Sequence, residues 1–302
     1  MSSEPSVFSD ESLRIAGFIP TSPDATEQRT YEIKWHRPAR VGDAWAVHFE
    51  REVGVIADVK SSNPADATHL QQQLDHFELT GKLEVTRVDE RAYQTAIVLT
   101  IKKFTGPDGR DLVASGKSIE VITTGGDLKC TLRGGGSIAG DAVDAIKDMF
   151  WAGNTGGEKA DTLYGSPSPL SVGETWPVNA AAVAADMKQP SMQVQAKDVS
   201  GLTTLQGLGQ MNGTPLMRLE NATTAQLHID GVPFGFKVDR AEMKTSMKSL
   251  LPLDLTRPPL ETEKNEDIRI NLSGSVLFTP VSMEMTTHLR QTLTPIIPRT
   301  ED

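Results

Sequence analysis

Between residues 44 and 60 apolar and polar side chains alternate along the chain. Trp45, Val47, Phe49, Val53, Val55, Ala57 and Val59 share one parity, interrupted by Arg51. His48, Glu50, Glu52, Asp58 and Lys60 share the other. Successive strand residues point to opposite faces, so this period of two predicts a long strand with one dry side. Gly54 in its middle predicts a bulge or bend. The same rhythm returns at 76–88, with Phe77, Leu79, Leu83 and Val85 inward, and at 92–104, with Tyr93, Ile97, Leu99 and Ile101 inward. Asp89 and Glu90 form a tight connection, and Gly106-Pro107-Asp108-Gly109 reads as a turn. Shorter strands are predicted at 112–123 and 127–133, which completes an antiparallel meander with one wet face.

The period then changes. Ala142, Val143, Ile146, Met149 and Phe150 recur at helical spacing, which predicts a helix over 138–151 with Ser137 or Asp141 as cap and Gly153 as stop. Residues 153–168, rich in Gly, Ser and Pro, read as a linker. Strand patterns resume at 176–186, 191–199, 202–210, 215–229, 234–248, 266–278 and 281–293, with a Pro-rich, acidic loop at 252–267. The predicted fold is therefore mainly β: curved antiparallel sheets, partial-barrel-like, in two related halves with one central helix. Residues 1–30 form an N-terminal tail or arm, 31–152 the first half, 153–168 the linker and 169–302 the second half. One continuous sheet shared by both halves is the alternative.

An internal echo supports the two-half reading. Pro38, Val41, Gly42, Asp43 and Trp45 recur as Pro169, Val172, Gly173, Glu174 and Trp176, both reading P-x-x-V-G-[DE]-x-W. Glycine permits the positive φ of a tight turn, the acid accepts backbone hydrogen bonds there, and Trp anchors the strand that follows. These residues read as structural.

With Thr86-Arg87-Val88-Asp89, Leu272-Ser273-Gly274-Ser275-Val276-Leu277-Phe278 and Ser282-Met283-Glu284-Met285-Thr286, the order of features over residues 31–293 resembles the DUF6263-type family of bacterial exported proteins and lipoproteins. The resemblance implies an extracytoplasmic protein, commonly lipid-anchored through a cysteine that this chain lacks. It implies no activity and supplies no catalytic residue.

Composition narrows the partners. A formal charge of −10 without a Lys/Arg cluster argues against nucleic acid and anionic membrane surfaces. No apolar run of the length needed for a membrane-spanning helix occurs, and the polar, acidic opening is no signal peptide. One cysteine, Cys130, excludes an internal disulfide and reads as a structural thiol.

Candidate chemistry is thin. Gly134, Gly136 and Ala139 meet the loose G-x-G-x-x-A pattern between a strand and a helix, but the preceding meander is not a βαβ unit and Glu158 falls in the linker. His36, His48, His69, His76, His228 and His288 show no metal-ligand spacing, although neighbouring strands could bring His48 and Glu50 near His76 and Glu78. Residues 135–139 fail the G-x-S-x-G pattern at Ala139. Glu50/Glu52 and Glu261/Glu263 read as solvated carboxylates. Met187, Met192, Met211, Met217, Met243, Met247, Met283 and Met285 give the second half a soft interior suited to gap-filling or to an apolar ligand. The reading is a non-catalytic envelope protein without cofactor or metal, binding an apolar small molecule or lipid or serving as a scaffold. The alternatives are a homo-oligomeric or assembly subunit pairing through sheet edges or the N-terminal arm, and a hydrolase with an unrecognised site.

Overall fold

The computed structural model describes residues 18–21, 29–61, 68–71, 75–124, 127–152, 157–188, 191–232, 236–257, 259–276 and 279–296. Leu13, Gly153 and Phe278 lie outside them, as does the Phe150 side chain. The N-terminal arm contains β1 (Ile19–Thr21), and the first half contains β2 (Ala44–Ser61), β3 (Thr68–Gln71), β4 (Asp75–Val88), β5 (Gln94–Thr105), β6 (Ser118–Thr124) and β7 (Asp127–Leu132). Helices α1 (Gly140–Ala152) and α2 (Gly157–Tyr164) follow, then β8 (Thr175–Pro177), α3 (Ala180–Asp186) and β9 (Met192–Gln193). The chain continues through β10 (Val199–Met211), β11 (Thr214–Gln226), β12 (His228–Ile229), β13 (Lys237–Pro252), β14 (Glu261–Val276) and β15 (Thr279–Ile296).

Thirteen of these strands join one open, curved antiparallel sheet in the order β1-β10-β11-β13-β14-β15-β2-β4-β5-β6-β7, with β3 and β8 pairing alongside. The two halves therefore share a single sheet. Their junction is β15 against β2, paired from Val281↔Ser61 to Ile296↔Ala46. β1 and β8 cap the same edge strand end to end, at Leu208–Gln210 and Leu202–Thr204 respectively. Covering an edge in this way removes a template for unwanted pairing.

Two apolar clusters occupy the inner face. One gathers Phe49, Leu79, Phe104, Ile119 and, from α1, Ala142, Ile146 and Met149. The other gathers Ile33, Trp35, Leu163, Trp176, Val183, Leu205 and Met243. A single cross-strand row joins them: Phe104, Leu79, Phe49, Leu293, Thr262, Ser249, Leu219 and Leu205 are successive register partners. All eight are buried, and the hydroxyl pair at its centre is satisfied by Ser249 Oγ donating to Thr262 Oγ1 at 3.3 Å.

Several local expectations are corrected. Residues 180–186 are helical rather than strand, because an Ala-rich run favours the helix and Asn179 caps it, accepting from Ala182 N at 3.2 Å. The predicted strand at 191–199 shrinks to Met192–Gln193. Residues 157–164 of the linker form α2, held by two buried residues, Leu163 and Tyr164. β14 starts at Glu261, inside the predicted 252–267 loop. Gly54 pairs with His288 in regular register. The breaks in β4 lie at Thr80/Gly81 and near Arg87, where a Cβ on Gly81 would collide with the Thr100 carbonyl.

Candidate functional site

On β14 the parity that points Ile268 and Ile270 inward carries Thr262, Lys264 and Glu266 to the same face. Lys264 is buried among register partners Met247 and Gln291. Its ammonium lies 2.8 Å from the Glu266 carboxylate, and the two side chains retain only 10% and 16% exposure. A charge so far from water is costly unless paired, so the contact is obligatory rather than decorative. Asn221, Thr203 and Thr223 extend this polar belt across β10 and β11 through their own hydrogen bonds. Where the 31–40 segment passes from one core to the other, buried Arg37 donates from Nη2 to Pro252 O at 3.0 Å, and burial pulls its guanidinium down to about 10.

Above the Lys264–Glu266 pair lies a partly enclosed cavity of about 180 Å³, between α2 and α3 on one side and β13 and β14 on the other. Met187, Met192, Met243 and Ile268 give it an apolar lining, and Tyr164, Asp186, Thr245, Lys264 and Glu266 supply polar groups. Tyr164 is buried. Its phenol is held above the ordinary range by that burial, with the Asp186 and Glu266 charges adding to the effect, so it remains a neutral hydroxyl. The wall is fixed by specific contacts. Asp161 on α2 accepts from Trp35 N at 2.5 Å and His36 N at 3.2 Å, and Trp176 Nε1 donates to Tyr164 O at 2.8 Å. The opposite face carries a wider trough of about 550 Å³, floored by short strand side chains such as Ser200, Ala222 and Ser246.

Trp176 belongs to the repeated motif, and the two copies build the same turn. Gly42 and Gly173 take φ of 93° and 88°. Asp43 Oδ2 accepts from Arg40 N at 2.7 Å, and Glu174 Oε2 accepts from Ser171 N at 2.5 Å. Gly42 N donates to Val85 O while Val85 N donates to Asp43 O; Gly173 and Glu174 exchange the same pair of bonds with Leu205. Trp45 is half-buried against the first core and Trp176 is buried in the second. Pro38 and Pro169 precede the two turns, where Val41 is 64% exposed and Val172 packs partly buried on the second core.

The other flagged residues lie apart from the cavity. His48, His76 and His288 occupy the opposite face, each near a carboxylate: Glu50 at 3.2 Å, Glu52 at 3.6 Å and Asp267 at 2.5 Å. Register places Glu50 beside Glu78 and Glu52 beside His76. Among the described residues no group of three or more His, Cys, Asp or Glu is placed to hold a metal ion. Gly134, Gly135 and Gly136 all adopt positive φ and turn the chain from β7 toward α1. The strand before that loop pairs only antiparallel, with β6. Cys130 is half-buried, and burial pushes its thiol up to about 11, an unreactive protonated state at neutral pH. Glu261 and Glu263 are not the solvated pair expected. Glu263 is buried beside Arg290 at 3.4 Å, and burial, reinforced by Glu263, raises the Glu261 carboxyl.

No helix among the described residues is long and apolar enough to cross a membrane. No family model and no curated protein matches the chain. Among solved structures it is similar to Pseudomonas aeruginosa OpdO, at 8% identity and TM-score 0.18, over 82% of this chain and 97% of that one. It is also similar to Pseudomonas aeruginosa OpdL, at 11% identity and TM-score 0.15, over 84% and 99%. The Pseudomonas putida toluene transporter TodX follows at 9% identity and TM-score 0.11, over 88% and 95%. Likenesses this distant carry no inference about function.

Proposed function

We propose that the protein is a non-catalytic binding protein of the cell envelope that holds a small, largely apolar molecule between α2, α3 and the sheet. The observation that carries this reading is the cavity itself. Three flexible thioethers and aliphatic groups surround one sheltered space, and a few polar groups from both the helices and the sheet share its lining, which is the usual make-up of a small-molecule site. Its size suits a compact ligand, since an apolar protein cavity of about 150 Å³ takes up benzene. The placement of His48, His76 and His288 on the other face supports a non-catalytic role, and the DUF6263-type resemblance supports the envelope.

Native mass spectrometry after purification without detergent or solvent should show an added mass of roughly 100 Da. Adding a saturating benzene-sized ligand should raise stability by about 2.7 kcal/mol at a hundredfold excess over Kd. A bare protein mass together with no thermal response to such ligands would contradict the binding role, and recovery with cytosolic markers on cell fractionation would contradict the envelope placement.

A further inference from the structure

The two edges of the sheet differ. β10 is covered by β1 and β8, whereas among the described residues β7 pairs only with β6. Arg133 N donates to Ser118 O at 2.9 Å, one step beyond the Ile119↔Leu132 pair. Backbone groups alternate sides along an antiparallel strand, so Asp127, Lys129 and Thr131 also bond toward β6. Leu128, Cys130 and Leu132 therefore direct their N–H and C=O groups to the open edge. Leu132 O accepts from Gly135 N at 3.2 Å, and a carbonyl has a second lone pair to offer. The side chains of these three residues pack half-buried against the first core, while Asp127, Lys129, Thr131 and Arg133 are exposed on the other face.

We propose that β7 pairs with β7 of a second copy of the chain about a two-fold axis through Cys130. Antiparallel pairing in that register sets Cys130 against Cys130 and Leu128 against Leu132, so the ladder continues through the open backbone groups. An axis normal to the sheet keeps both cores on one side, and the half-buried side chains of each copy cover those of the other. On the outer face Asp127 meets Arg133 and Lys129 meets Thr131, each twice. Among the described residues Asp127, Lys129 and Arg133 make no ion pair within the chain, so these charges are available to a partner. Opposite charges facing each other across strands stabilise and like charges destabilise, which also fixes the register. Sliding one copy by two residues sets Lys129 against Lys129 in one direction and against Arg133 in the other.

Sedimentation equilibrium on the full chain, from micromolar to millimolar concentration, should show a monomer–dimer equilibrium. Asp127→Arg and Arg133→Asp should each weaken the dimer by about tenfold, because two attractive contacts become repulsive. Both positions are exposed, so the fold tolerates either change. Mixing the two variants makes both contacts attractive again and should return association to the strength of the parent chain. A chain that stays monomeric at millimolar concentration would overturn the proposal, as would a dimer indifferent to both variants and to their mixing.

Discussion

Glu266→Ala is expected to lower stability by about 3 kcal/mol, the usual result of removing one partner of a sheltered ion pair. The pair is 2.8 Å apart with little exposure on either side chain, so Lys264 cannot simply turn to solvent when its carboxylate is removed. The melting temperature should fall by about 5 °C, given the unfolding entropy of a chain of 302 residues. Removing both charges should behave differently. A Lys264→Met, Glu266→Leu double variant leaves no uncompensated charge and should return to within about 1 kcal/mol of the parent. A cycle of these variants measured by chemical denaturation separates pairing from burial, and equal losses in the single and double variants would show that the pair does not set the cost.

Phe49→Ala is expected to cost about 4 kcal/mol, because a fully buried ring leaves a cavity that a rigid sheet cannot close. The spread of the damage matters more than its size. Phe49 pairs with Leu79 on one side and with Leu293 on the other, at the point where β15 joins the two halves. Its loss should therefore reduce hydrogen-exchange protection in β11 and β13 as well as in β4 and β5, within a single cooperative transition. If the second half kept its full protection, the two cores would be energetically separate despite the shared sheet.

Much of this fold was legible in the residues. Strict alternation at 44–60 and 76–88 specifies strands with one dry face, since a one-residue slip would expose every apolar side chain. The P-x-x-V-G-[DE]-x-W echo marked two turns that make the same hydrogen bonds. What the pattern did not disclose was the junction: Val53, Val55 and Val59 look alike whether their partner is β15 or another copy of the chain, because strand pairing is mediated by backbone. α2 and α3 were missed because helices of eight and seven residues are too short to show a periodic apolar face, and their stability comes from tertiary contacts such as Asp161 to Trp35 N. The cavity was half legible. Its three methionines were flagged as soft lining, yet Lys264 and Glu266 were hidden in what read as an acidic loop. Counting backward in twos from Ile270 through Ile268 would have placed both on the dry side.

The central claim is that a ligand enters among the methionines beneath α2 and α3. Titrating a benzene-sized ligand into protein labelled with ¹³C at the methionine methyl groups tests it directly. Saturable shifts are expected in the resonances of Met187, Met192 and Met243, with Met211, which packs against the separate cluster of Leu216, Leu250 and Leu260, unmoved. Shifts confined to Met211, or no saturable change at any methionine, would contradict it.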